Sequence, residues 1–162
     1  MRPPGIGLRR ASDADREFLA RVFVSGRAHE LALLPWTNPQ KEAFLHQQFE
    51  AQDRHYRTYA GAESLVVLLD AMAIGRLYVQ RTATEVRIMD ITLLPEHRGQ
   101  GVGRYLLRQL QSEAREAGIP VTLHVQAHNP AQRLYARLGF VRVADHGVYH
   151  QLEWRADVAA GR

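Results

Sequence analysis

The chain has 162 residues, 46% hydrophobic and 23% charged, the balance of one soluble domain with a sizeable core. With no cysteine, it can build no disulfide framework, thiolate nucleophile or cysteine metal site. The net charge of +4 comes from scattered arginines and a single lysine, Lys41, without a basic block or stripe, so no nucleic-acid partner is expected.

No apolar run approaches the ~20 residues of a membrane helix. The N-terminus lacks the apolar middle of a signal peptide. A cytoplasmic location without membrane contact is the expectation. The boundaries read as one domain over residues 6–157, with flexible tails at 1–5 and 158–162.

In chain order, Gly7 to Arg10 reads as a short first strand. Ser12 is placed to cap a helix whose acids, Asp13 and Asp15, suit the N-terminal dipole. Phe18, Leu19, Val22 and Phe23 form its apolar stripe, and Gly26 ends it. Pro35 and Trp36 break the mixed segment that follows. Asn38 as cap and Pro39 at the first position open a second helix to about Tyr56. Ser64 to Asp70 is a continuous apolar strand, joined by a tight connection at Ala71-Met72 to a second strand over Ala73 to Gln80.

Glu85 to Leu94 is the next strand, rich in β-branched and aliphatic residues. Pro95 stops it, and Arg98-Gly99-Gln100-Gly101-Val102-Gly103 follows as a loop with glycine at every second position. From Val102 the apolar residues recur at helical spacing through Leu106, Leu110 and Ala114, and Gly118 stops that helix. Strand, glycine loop and helix together aim backbone N–H groups and a helix dipole at one anion. The loop is read as a phosphate cradle. Pro120 to Val125 is a strand. Asn129 caps, with Pro130 opening, a short helix to about Leu138, and Phe140 to Asp145 and Val148 to Trp154 are the last strands. A strand, a crossover helix and another strand require 85–94 and 121–125 to lie parallel and adjacent. Ligands of such sheets bind beyond the carboxyl ends of the strands.

Two phosphate loops are excluded. The dinucleotide fingerprint G-x-G-x-x-G places its third glycine on Arg104, and a P-loop needs G-K-[ST], whereas Gly103 is followed by Arg104-Tyr105. Arg98-x-x-Gly101-x-Gly103 instead resembles the [RQ]-x-x-G-x-[GA] motif of the GCN5-related N-acetyltransferases (GNAT). A second segment, Asn129-Pro-Ala131-Gln-Arg-Leu134-Tyr135-Ala-Arg-Leu138-Gly139-Phe140, resembles that superfamily's N-x-x-A-x-x-L-Y-x-x-x-G-F. The resemblance covers essentially the whole chain. It implies an α/β (α+β) fold: a central mixed, mostly antiparallel sheet of about seven strands, with a parallel splayed pair and about four helices.

The resemblance also implies chemistry: transfer of an acetyl group from acetyl-CoA to a primary amine. With no cysteine to carry the acyl group, direct attack in a ternary complex is the expected route. The pyrophosphate of coenzyme A falls on the N–H groups of Arg98, Gly99, Gln100, Gly101, Val102, Gly103 and Arg104. The pantetheine arm pairs with Thr92, Leu93 and Leu94, and the Leu93 N–H faces the thioester carbonyl. Loss of one such oxyanion donor costs ~3 kcal/mol. Asn129 lies near the cofactor. Tyr135 stands where many family members place the general acid. A tyrosine with an ordinary pKa of ~10 holds its proton at neutral pH and can give it to a departing thiolate. His124, where ribosomal-protein relatives carry a glutamate, is the candidate base, with Asp90 and Glu85 secondary. Arg87 stands where histone-type relatives carry their strand glutamate, so that route is closed. The spacing of His29, His46 and His55 argues for no metal. Glu30, Trp36, Tyr56 and Tyr59 are candidate acceptor contacts, and a homodimer is a further expectation. The rival reading is a noncatalytic CoA-binding module on the same fold.

Overall fold

The structure, a computed structural model, describes residues 5–156. The tails expected at 1–5 and 158–162 lie outside these residues, apart from Gly5. The strands are β1 (Ile6–Arg10), β2 (Ala62–Leu69), β3 (Met72–Arg81), β4 (Val86–Leu93), β5 (Val121–Gln126), β6 (Val141–Asp145) and β7 (Tyr149–Trp154). They form one seven-stranded sheet in the order β1-β2-β3-β4-β5-β7-β6. The helices are α1 (Arg16–Arg27), α2 (Asn38–Tyr56), α3 (Val102–Ala117) and α4 (Gln132–Arg137). Only β4 and β5 run parallel, and every other pairing is antiparallel. The expected mixed sheet with its parallel pair and four helices is present.

Helices cover both faces, which explains the unbroken apolar run of β2. Leu65 and Val67 join the core under α3, which contributes Leu106, Leu107, Leu110 and Ala114. Val66 points the other way, among Leu19 and Phe23 of α1 and Leu45 and Phe49 of α2. Each such large side chain, fully buried, contributes roughly 1.5–3 kcal/mol.

Several local readings are corrected. Ser12 opens a 3-10 turn, Asp13–Asp15, rather than the helix itself, and α1 runs through Gly26 to Arg27. Glycine at 26 serves packing: a Cβ there would sit 3.0 Å from Thr92 Cγ2. The cap of α2 is Thr37, not Asn38. Its hydroxyl accepts from the Gln40 N–H at 3.2 Å, while Gln40 Oε1 accepts from the Thr37 N–H at 2.9 Å. This reciprocal box satisfies two backbone donors and shifts the start by one residue. The β2–β3 turn is Asp70-Ala71, both at positive φ (50° and 67°), because Leu69 already pairs with Met72. Asn129 does not cap α4. Its Oδ1 accepts from the Ala131 N–H at 2.8 Å, and the helix begins only at Gln132, three residues beyond Asn129. The segment has one residue fewer between Asn129 and Ala131 than the pattern it resembles, so Asn129 closes a tight turn and the helix starts later.

Candidate active site

The site grows from the place where the parallel strands part. β4 and β5 pair only over Val86, Arg87 and Ile88 with Val121, Thr122 and Leu123, yet β4 continues to Leu93 and β5 to Gln126. Two features turn β4 aside. A bulge at Met89 shifts its register on β3 between Tyr78 and Val79, so Tyr78 faces Asp90 while Val79 faces Ile88. Beyond the parting, β5 stays bonded to β7 along its whole length, out to Gln126 opposite Tyr149. The result is a crevice between two strands whose backbone groups are no longer used on each other.

Of the three residues expected to meet pantetheine, one turns its backbone into this crevice. The Leu94 N–H donates to the Ile74 carbonyl of β3 at 2.9 Å. Groups alternate along an antiparallel ladder, so Leu94 and Thr92 face β3 and Leu93 faces away from it. The close approach of β3 here depends on Gly75, where a Cβ would lie 2.5 Å from the Thr92 carbonyl oxygen. The Leu93 carbonyl is already taken, by Arg98 Nε at 2.9 Å, while Arg98 Nη2 reaches the Ser25 carbonyl at 3.5 Å. Arg98 therefore ties the end of β4 to α1, a structural use its motif position did not reveal. Arg104 is exposed and has no ion-pair partner among the described residues.

The glycine loop is built as a cradle. Gly99 and Gly101 both adopt left-handed backbone, φ 74° and 87°, which an L side chain resists. Gly101 is the residue that precedes α3, with no side chain to cap it, so the N–H groups of Val102, Gly103 and Arg104 open outward. Val102 anchors this end in the core at 1% exposure. A Cβ at Gly99 or Gly103 would meet nothing within 4 Å. That open space above unused N–H groups fits the phosphates of coenzyme A. Gln100 turns its amide to the Glu96 carbonyl at 3.3 Å, tightening the loop.

Tyr135 enters from α4, its ring packed edge-on against Phe140 at 5.6 Å. Burial, aided by the nearby charge of Asp90, pushes its hydroxyl up to about 12. No group among the described residues hydrogen-bonds that hydroxyl. His124 is on β5, on the sheet face opposite Leu123 and Val125. It belongs to a separate cluster with His146, ring centroids 6.1 Å apart, and with Arg87 and Glu85. Burial first, then the charges of Arg87 and His146, hold its pKa below the ordinary histidine value. The structure thus pairs Tyr135 electrostatically with Asp90 and groups His124 with Arg87, His146 and Glu85. His128 and Asn129 lie exposed in the turn after β5.

Sequence reasoning passed over one residue here. Arg76 of β3 is 1% exposed and lies between Asp53 of α2, at 3.5 Å, and Asp90 of β4, at 4.0 Å. A charged residue between Ile74 and Leu77, in a strand with buried neighbours, was the available signal. Tyr56 came nearer the centre than expected: its hydroxyl donates to the carbonyl of the bulge residue, Met89, at 3.3 Å. A separate groove of about 630 Å³, lined by Ser12, Arg16, Asp53 and Arg81, lies at the far end of β3 from Gly75.

A family model described as "Acetyltransferase (GNAT) family" matches residues 27–140, spanning the parting strands, the glycine loop, α3 and α4. The chain belongs to the GNAT acetyltransferase family. It is an acetyltransferase whose acyl donor is acetyl-CoA. The N-alpha-acetyltransferase RimI of Mycobacterium tuberculosis is 32% identical over 154 residues, 93% of this chain and 86% of that protein. A putative [ribosomal protein bS18]-alanine N-acetyltransferase of Bacillus subtilis is 29% identical over 110 residues, 65% of this chain and 64% of that protein. Among solved structures, the PaiA N-acetyltransferase of Thermoplasma acidophilum in complex with coenzyme A shares the fold. Its TM-score is 0.70 at 19% identity, covering 93% of this chain and 99% of that one. Among the described residues of this GNAT chain, no helix is long and apolar enough to cross a membrane, and no cluster of His, Asp and Glu could hold a metal ion.

Proposed function

We propose that the chain acetylates the α-amino group of a protein N-terminus, by direct attack of the amine on acetyl-CoA in a ternary complex. The observation that carries the reading is the Tyr135 hydroxyl: buried, with its proton held to about 12, and without a protein partner among the described residues. A group so placed keeps a proton available for a departing thiolate. The acceptor class is supported by the relatives, since proteins named for Nα- or ribosomal-protein acetylation match this chain over 65% and 93% of its length.

The other roles follow from position. The N–H groups from Gly99 to Arg104, at the start of α3, hold the pyrophosphate, and Asn129 borders the cofactor; the Arg98 N–H, expected to join them, is instead given to the Pro95 carbonyl at 3.3 Å. Leu93 offers its N–H to the thioester carbonyl from the open edge of β4, between Thr92 and Leu94. His124, kept neutral at pH 7 by its depressed pKa, takes the proton that the ammonium must lose before it attacks, directly or through water. The route is direct because the chain has no cysteine to form an acyl-enzyme.

The test is thiol release from acetyl-CoA with three peptides: one with a free N-terminus, one N-terminally blocked but containing lysine, and one with both blocked. Turnover on the first alone is expected. Turnover confined to the lysine peptide would replace the acceptor assignment, and tight CoA binding with no turnover on a broad amine panel would leave a binding module.

A further inference from the structure

An amine acceptor arrives as an ammonium ion, since alkyl and α-amino groups have pKa values of ~10.4 and ~8. The glycine loop suits the donor's negative charge, and this positive one needs a carboxylate. Asp90 is the only carboxylate on β4. It stands two residues beyond Ile88, the last residue of β4 paired with β5, and therefore at the mouth of the crevice. Opposite Tyr78, it shares the sheet face of Arg76 and of α1 and α2, away from α3. His124 occupies that same face one strand over, because its neighbour Leu123 packs toward α3.

The two Asp90 oxygens are used unequally. Oδ1 accepts the Thr92 hydroxyl at 2.9 Å. Oδ2 lies 4.0 Å from Arg76 Nη1, an ion pair too long for a hydrogen bond, and has no donor among the described residues. The side chain keeps 21% exposure at this position. Arg76 is itself committed elsewhere, to Asp53 at 3.5 Å and Gln52 at 3.4 Å, and over the Tyr78 ring at 4.5 Å. Burial raises the Asp90 pKa above the usual carboxylate value, and the fixed positive charge of Arg76 works against that shift without occupying the free oxygen. Arg27 adds a second, more distant positive field, and Tyr56 and Tyr135 both feel the Asp90 charge.

We propose that Asp90, backed by the buried Arg76, is the anchor for the acceptor's ammonium group, which it receives through Oδ2. The ammonium would then lie on the face that also carries His124, with the thioester across the crevice. This rests on the amine-acceptor reading above but not on which amine is used.

The test is calorimetric titration of the CoA-saturated protein with alaninamide, with Nα-acetyl-lysinamide, and with uncharged Nα-acetyl-alaninamide. At least one of the two cations should bind, and the uncharged amide should not. Asp90→Asn should weaken the cation that binds by about tenfold or more, with CoA affinity unchanged as the check on fold. Should that variant lose CoA binding, Asp90→Ser is judged by the same criterion. Equal affinity of wild type and variant for the cation, absence of cation binding in the wild type, or equal binding of charged and uncharged amides would overturn the anchor. Binding and turnover of the lysine probe alone would instead overturn the N-terminal acceptor and leave Asp90 standing.

Discussion

Burial acts on Tyr135 and His124 with opposite consequences for where each proton sits. It raises the phenol, because tyrosinate is the charged form, and lowers the imidazole, because imidazolium is. At neutral pH the phenol is therefore protonated and the imidazole is not, the states required of an acid and a base. Tyr135→Phe should lower kcat about 100-fold with acetyl-CoA affinity nearly unchanged. An unaltered kcat under chemistry-limited conditions would remove Tyr135 from the mechanism. For His124 the sign is definite: activity rises with pH as the imidazole deprotonates, at a pH below the ordinary histidine range of ~6.5. In His124→Ala that acidic limb of kcat/KM should vanish, and a limb that persists unchanged would return the base role to Asp90 or Glu85.

At the scale of elements, the crevice and the glycine loop form where two strand ends and one helix start are forced into particular backbone shapes. Gly103 sits in the first turn of α3 with open space where a Cβ would go. Gly103→Glu should therefore fold normally, since an acid near a helix N-terminus is favourable to the helix. Acetyl-CoA affinity should nonetheless fall at least about 100-fold, through bulk and charge set against the pyrophosphate. Normal affinity by calorimetry would place the phosphates elsewhere. Gly75 makes the contrasting case, because its neighbour is backbone. Gly75→Ala would drive a methyl to 2.5 Å from the Thr92 carbonyl oxygen and displace the end of β4. A stability loss of about 1–3 kcal/mol in urea unfolding is expected, with a raised KM for acetyl-CoA because Leu93 moves with Thr92.

For the whole molecule, the sheet holds together across its two faces, and charge secures the entry to the α1–α2 face. Arg9 of β1 grips Asp15 with two bonds of 2.8 Å, and the Ser12 N–H adds a third, also at 2.8 Å. Together they hold Asp15 down at about 2, from an ordinary 3.8. A depressed carboxylate stabilises the fold above its unfolded pKa and loses that contribution as pH falls through the folded one. Arg9 is half exposed, so solvent screening reduces the effect to about 1–2 kcal/mol. Asp15→Asn should be less stable than wild type by that amount at pH 7, with the gap closing between about pH 4 and 2. A gap that stays constant over that range would mean the ion pair is not its source.

Short-range pattern carried the strands, the helices and the glycine loop. The strand–loop–helix around Gly99, Gly101 and Gly103 was legible because left-handed turns and helix starts are local requirements. Tyr135 was legible because it travels with Leu134, Gly139 and Phe140 in one motif. Cap positions slipped by one residue at Thr37 and by two at Asn129, where a reciprocal bond and a missing residue decided between nearby candidates. The tertiary structure alone decided that Leu93, and not Thr92 or Leu94, faces the crevice, since that depends on β-ladder phase set by the bulge at Met89. It alone brought Arg76 of β3, Asp53 of α2 and Asp90 of β4 together, from 23 positions apart in the first pair. Local periodicity records which face of a strand is apolar. It holds no record of which distant charge a buried arginine will meet, because that encounter is made by packing one layer on another.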